Sequence, residues 1–252
     1  MKVSFIGAGP GDPELMTRKA WRVLGRADIV LHDALMDIEG MKAAAPQAQW
    51  LNVGKRAGHV SASQAFITKT MVSFAKRGYQ VARLKGGDPA IFGRLTEELR
   101  ACKEQGIEFE IIPGVTAASA SAAELGMSLT SRGIARSVVF LTPRVERNAQ
   151  ARGSNWLEAA CHADTAVLYM AGHDTPAICQ NLIDAGLPAQ TPACLVENAS
   201  RQAKTYRSTL AELARRAIPV PQGPTTLLIG AAFRDAVAPA IEPLLSRPAR
   251  AP

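Results

Sequence analysis

The residue types that most often announce chemistry are scarce in this chain. Four cysteines in 252 residues, Cys102, Cys161, Cys179 and Cys194, include no pair at CxxC spacing. Neither a zinc module nor a dithiol redox motif is encoded, and the expectation is four reduced, mostly buried thiols. The four histidines never recur at i+4, which argues against a metal-centred chemistry. No GxSxG elbow is present to place a serine nucleophile. Aromatics make up 5% of the chain, too few to stud a basic surface with stacking platforms for nucleic acid. No apolar run reaches membrane-spanning length, and Met1 leads straight into a strand-like KVSFIG instead of a signal-peptide core. A cytoplasmic location is therefore expected.

Charge of one sign is in excess but not concentrated. The formal net charge is +7, with 29 basic and 22 acidic residues. Residues 1–113 carry 16 and 12 of these, residues 114–252 carry 13 and 10. No arm or tail holds the excess, so the nucleic-acid reading that the pI invites loses its footing. A diffuse positive field also suits a small polyanionic substrate.

What the chain does have is a series of short apolar runs that end in glycine. Lys2 to Ile6 runs into Gly7-Ala8-Gly9-Pro10-Gly11-Asp12. Asp28 to His32 ends at Asp33, and Trp50 to Val53 runs into Gly54-Lys55-Arg56. Gln80 to Leu84 ends in Lys85-Gly86-Gly87-Asp88-Pro89, and Phe109 to Ile112 in Pro113-Gly114. Helical patterns lie between them: a stretch opened by Pro13, Ser61 to Lys76 with capping-box spacing at Ser61 and Gln64, and Leu95 to Glu104. Strand and helix alternate, which predicts a largely parallel sheet with helices on its faces and ligands beyond the carboxyl ends of its strands. After the small-residue helix Thr116 to Leu125, the order changes. Strands near 193–197 and 205–208 stand a short loop apart and read as an antiparallel pair. The expectation is α/β throughout: an N-terminal domain, 1–113, with a mostly parallel sheet, a C-terminal domain, 114–252, with a mixed sheet, and a cleft between them.

The motifs point towards ligand contact in different degrees. GAGPGD follows a strand as a dinucleotide fingerprint would, with Asp33 some twenty residues on. Asp12 stands where that fingerprint has its last glycine, and a carboxylate there repels a pyrophosphate. Pro10 deletes an N–H that a phosphate cradle uses. A tight turn with a ligand contact fits better than an NAD site. In VGKRAGH, Lys55 and Arg56 sit at a strand end as an anion clamp or proton donor, or as a solvated pair. In RLKGGDPAIFGR, paired glycines expose backbone to a ligand, Asp88 offers acceptors to ribose or amine groups, and Arg94 suits a forked pair with a carboxylate. Thr116 and Ala117 open a helix beside a glycine, where N–H groups are free. Arg132 and Arg136 add two cations, and Met170 closes an apolar strand.

In this order, GAGPGDPELMTRKA, ADIVLHDAL, VGKRAGH, ARLKGGDPAIFGR, IPGVTAASASAAELG, LTSRGIARSV and VLYMAG resemble the tetrapyrrole methylase family. The matching pieces span Gly7 to Gly172. The resemblance implies a homodimeric two-domain enzyme that transfers methyl groups from S-adenosylmethionine to pyrrole carbons of an octacarboxylate macrocycle without a metal, and the spread charge and lack of a spanning run add the expectation of no nucleic-acid or membrane partner. It implies cofactor contacts at Pro10, Gly86, Gly87, Asp88, Ile91, Thr116, Ala117, Met170 and Ala199. Asp33 and Lys55 match a proton acceptor and donor, and Arg94 an arginine near the substrate, while Arg56, Arg132 and Arg136 stand ready for its carboxylates. Rival substrates within the family are later corrin precursors, RNA and diphthine. This chain has Leu95 and Thr96 where the family usually has two glycines, Ser131 where histidine is usual, and Ala90 where phenylalanine is common.

Overall fold

A computed structural model describes residues 2–33, 36–54, 64–143, 156–215 and 218–237. Lys55, Arg56 and Ser61 lie outside these, as does everything beyond residue 237. The chain divides into two compact units. One comprises Met1–Glu124, Val196–Lys204 and Pro221–Thr226, and the other Leu125–Leu195, Thr205–Val220 and the residues from Leu227 on. The sequence border was expected at Pro113. Here α5 (Ala117–Leu125) stays largely with the first unit, because Gly114, just before it, packs backbone to backbone against Gly7 and Gly87.

The first unit holds a five-stranded parallel sheet. Its strands are β1 (Lys2–Gly7), β2 (Ile29–His32), β3 (Gln49–Asn52), β4 (Gln80–Lys85) and β5 (Glu108–Ile112), in the order β3-β2-β4-β1-β5. Strands alternate their side chains between two covered faces. Ile6, Val30, Ala82 and Leu84 pack with α1 (Arg18–Leu24) and α2 (Ile38–Lys42). Val3, Phe5, Ile29, Leu31 and Val81 pack with α3 (Gln64–Lys76) and α4 (Leu95–Glu104). The connection leaving β1 thus runs over one face and that leaving β4 over the other. The adjacent ends of β1 and β4 form a topological switch point, where open α/β sheets hold ligands.

Two local departures from the sequence expectation have clear causes. The stretch opened by Pro13 is a single 3-10 turn, Pro13–Leu15, held by the Asp12 carboxylate, which accepts from Glu14 N at 2.9 Å. The chain extends at Met16 and restarts as α1 when Thr17 Oγ1 accepts from Ala20 N at 3.1 Å. Helix α2 was not anticipated. It is five residues long and contains Gly40, a weak helix former, and it depends on the Asp37 cap.

The second unit carries most of the mixed sheet β6-β7-β10-β8-β9, built from β6 (Val138–Leu141), β7 (Thr165–Tyr169), β8 (Pro192–Glu197), β9 (Lys204–Thr209) and β10 (Thr225–Gly230). Leu168, Leu195, Leu227 and Ile229 meet α6 (Trp156–His162), α7 (Thr175–Asp184) and α8 (Leu210–Ala214) in one apolar cluster. The short α9 (Arg234–Val237) follows β10. The thiols fit the reduced-cysteine expectation. Cys102, Cys179 and Cys194 are fully buried, and burial raises them to about 11, about 12 and about 11. Alkylation of the native protein at neutral pH should label Cys161, which is partly exposed, and reach the other three only after denaturation. Mass mapping of the adducts checks this, and early labelling of Cys179 would contradict it.

Candidate active site

The switch point is built from bare backbone. Gly9 and Gly87 exchange hydrogen bonds as an isolated bridge, Gly87 N to Gly9 O at 2.6 Å and Gly9 N to Gly87 O at 3.2 Å. Gly114 fits between Gly7 and Gly87 so closely that a Cβ there would stand 2.9 Å from Gly7 Cα and overlap Gly87 O. Asp88 closes the turn. Its two carboxylate oxygens accept from Ala90 N at 2.8 Å and from Gly114 N at 3.0 Å. Ile91 N continues the turn onto Asp88 O, and Gly87 itself lies 3.9 Å, through its missing Cβ, from Ala117 N at the start of α5. The expected contacts Gly87, Asp88, Ile91 and Ala117, with Thr116 beside them, are thus brought together. Gly86 differs in kind. It is exposed, and among the described residues a Cβ there would meet only Met36 Cε, at 4.0 Å. Packing against the described residues does not require a glycine at that point, whereas a ligand lying on the peptide plane would.

A returning segment completes this loop cluster. Ser200 Oγ accepts from Asp12 N at 3.1 Å, and Ser200 N donates to Glu124 at 2.8 Å. Ala199, an expected cofactor contact, sits between Asn198 and Ser200, both with left-handed backbone. The buried Glu197 holds the 221–226 stretch by accepting from Gln222 N and Gly223 N, each at 2.7 Å. Pro10 is half-buried in the first glycine loop.

The charged side chains form two groups. Phe92 and Arg94 both have positive φ, 50° and 54°, flanking Gly93. Such conformations cost free energy in non-glycine residues and concentrate at functional sites. The forked pair expected of Arg94 is made with its own helix: Nε and Nη2 each donate to Glu97 at 2.8 Å, holding the Glu97 carboxyl below its usual range. Leu95, in place of the usual glycine, packs into the α3–α4 core and fixes the start of α4.

The second group escaped sequence reasoning. Arg83 and Lys85 point from β4 towards α4 with side chains 3% and 4% exposed, and both bind Glu98, which is 0% exposed. Arg83 Nε donates to Glu98 Oε1 at 2.9 Å, Lys85 Nζ donates to Oε2 at 2.7 Å, and Gln64 donates to Oε1 at 3.1 Å. Arg83 Nη2 donates to Asp33 Oδ1 at 2.7 Å. Burial, opposed by Glu98, holds the Lys85 ammonium below its usual range. A signal did exist: two cations at the end of a strand buried on both faces demand a buried carboxylate.

His32, next to Asp33, is buried, and its Nδ1 donates to Asp33 O at 2.9 Å. Burial lowers its pKa from 6.5. An unfolded chain therefore takes up this proton first, and stability is lost as pH falls below 6.5 towards the lowered folded value. His32→Gln should lose less Tm than the parent between pH 7.5 and 5.5, and an equal loss would contradict this origin.

Met170, Arg132 and Arg136 belong to the second unit. Met170 is exposed with φ 59° at the end of β7. Arg132 and Arg136 are exposed around a tight turn closed by the Ser131–Ala135 bridge, beside a hollow of about 530 Å³. Asp164 anchors this turn by accepting from Arg136 N and Ser137 N at 2.8 and 2.9 Å.

Residues 2–214 match the family model described as tetrapyrrole (corrin/porphyrin) methylases. The chain belongs to that family. It is 41% identical to the uroporphyrinogen-III C-methyltransferase of Cyanidium caldarium, over 90% of this chain and 91% of that one. It is 43% identical to the chloroplastic S-adenosyl-L-methionine-dependent uroporphyrinogen III methyltransferase of Arabidopsis thaliana, of which it spans 62%. Among solved structures, the uroporphyrin-III C-methyltransferase of Thermus thermophilus complexed with S-adenosylhomocysteine superposes with a TM-score of 0.80 at 33% identity, covering 93% of this chain and 100% of that one. The methylase fold accounts for the parallel and mixed sheets. Among the described residues no cluster of metal-ligating side chains occurs.

Proposed function

We propose that the chain methylates uroporphyrinogen III twice from S-adenosylmethionine, giving precorrin-2 for sirohaem or cobalamin-type pathways. The observation that carries the reading is the exposed Gly86 peptide at the switch point, needed by no packing neighbour among the described residues, in a chain so similar to full-length uroporphyrinogen-III methyltransferases. The sulfonium supplies an already activated methyl group, so the protein's work is alignment, exclusion of water and one proton transfer. In this reading Pro10, Gly86, Gly87, Asp88, Ile91, Thr116, Ala117, Met170 and Ala199 hold the cofactor. Arg94 faces the macrocycle, and Arg56, Arg132 and Arg136 meet its carboxylates. Asp33 accepts the proton and Lys55 donates one. The working form is a cytoplasmic homodimer.

Anaerobic incubation with uroporphyrinogen III and S-adenosylmethionine should yield a product carrying two added methyl groups by mass. S-adenosylhomocysteine should raise the Tm, and NAD should leave it unchanged. A product without added methyl groups, or stabilisation by NAD alone, would overturn the reading.

A further inference from the structure

The Arg83–Glu98 pair has no task in the reading above, yet both side chains are almost wholly buried. A buried ion pair is seldom more stabilising than well-packed apolar residues of the same volume, so stability alone is a weak reason for its presence. Its geometry suggests another. Every guanidinium nitrogen of Arg83 is engaged. Nε meets Glu98, Nη1 meets the carbonyls of Leu84 at 3.0 Å and Leu31 at 3.4 Å, and Nη2 meets Asp33. Glu98 is fixed in turn by Lys85 and Gln64. The plane of the guanidinium is therefore set by β2, β4, α3 and α4 together. Asp33 is the member that reaches solvent, with its side chain 31% exposed. Its Oδ1 is bound inward, and Oδ2 has no hydrogen-bond partner among the described residues.

We propose that Arg83 and Glu98 are positioning residues for Asp33, holding its carboxylate so that Oδ2 receives the proton released by the methylated macrocycle. The inference rests on the proposed methyl transfer. A bond forms between the methyl carbon and a ring carbon, and the sulfur–methyl bond breaks with its electron pair left on sulfur. The macrocycle now carries one positive charge. A C–H bond of the ring system then breaks, its electron pair enters the π system and removes that charge, and the proton passes to Asp33. A carboxylate serves as general base only within hydrogen-bond reach of the proton it takes. One placed on the first residue beyond a strand has no regular structure of its own to hold it there. The two cations and two carboxylates of the quartet also balance. Removing the Glu98 charge leaves Arg83 and Lys85 facing Asp33 alone and frees the guanidinium to turn.

Four proteins test this: the parent, Asp33→Asn, Glu98→Gln and the double variant. For each, kcat and KM are measured for anaerobic methylation of uroporphyrinogen III, and the Kd for S-adenosylhomocysteine by calorimetry. Glu98→Gln should lower kcat at least tenfold with the Kd within twofold of the parent. Adding it to Asp33→Asn should cost less than a further twofold, because its effect passes through Asp33. A parent-like kcat in Glu98→Gln, or losses that multiply in the double variant, would overturn the proposal, since a merely structural role acts whether or not Asp33 is charged. If Glu98→Gln fails to bind S-adenosylhomocysteine, Arg83→Lys replaces it in the same cycle. Its single ammonium keeps the charge but cannot span both carboxylates, and the same two outcomes decide. A parent that methylates nothing refutes the functional reading itself, and the positioning role falls with it. An active parent with multiplying losses refutes the positioning role alone.

Discussion

Gly114→Ala should destabilise the protein by about 3 kcal/mol or more, while Gly86→Ala should leave stability unchanged and weaken S-adenosylhomocysteine binding instead. The two glycines sit in neighbouring loops but for different reasons. A Cβ on Gly114 meets Gly7 Cα, Gly7 C and Gly87 O, all backbone atoms of a sheet-anchored bridge, so no rotamer change relieves it. In a domain of this size the Tm should fall by roughly 10 °C. Among the described residues a Cβ on Gly86 reaches only the flexible end of Met36, which can move aside for it. The added methyl occupies the space in which the bound cofactor is proposed to lie. Differential scanning calorimetry and ligand titration on both variants separate the roles. A Gly86→Ala protein with unchanged Kd would remove this peptide from the binding site.

Asp88→Ala should weaken S-adenosylhomocysteine binding by about 100-fold, or roughly 2.7 kcal/mol. The loss has two sources. Both carboxylate oxygens hold the turn, one on Ala90 N and one on Gly114 N, and their removal leaves those donors without a partner. Their remaining acceptor capacity is what the cofactor is proposed to use. Asp88→Asn keeps one acceptor oxygen and should fall between the parent and alanine. Arg94→Ala provides the contrast, since its fork is made to Glu97 on α4 and not to the glycine loops. It should raise the KM for the macrocycle and leave the cofactor Kd within twofold. Equal loss of both affinities in Asp88→Ala and Arg94→Ala would refute the division of labour.

The fold was legible because its signals are local. The glycine loops mark where β1, β4 and β5 end, and the 3.6-residue spacing of Ile67, Met71 and Phe74 marks α3. Gly86, Gly87 and Asp88 stand out in sequence for the same reason that they stand out in space: consecutive glycines before an acid serve no strand or helix. The buried quartet is easily overlooked because each member, taken alone, looks ordinary. Glu98 lies in a polar helix (LTEELR) that reads as solvated surface, and Arg83 and Lys85 read as the polar punctuation of a strand end. Only the burial of β4 on both faces turns them into a problem that a carboxylate must solve. The ties through Ser200 and Glu197 were out of reach for another reason, since no local pattern announces a partner 188 or even 25 residues along the chain.

The hydrogen bond from the Asp12 amide to Ser200 joins residues 188 apart. During vectorial synthesis at 5–20 residues per second, the first glycine loop therefore waits roughly 10–40 s for its partner to be made. The Glu197 contacts are completed later still in synthesis, once Gln222 and Gly223 are made. The N-terminal sheet can form early on the ribosome, but the rim of glycine loops at its strand ends stays unfinished until most of the chain has emerged. A nascent chain stalled near residue 124 should resist proteolysis in its strands and yet fail to retain S-adenosylhomocysteine.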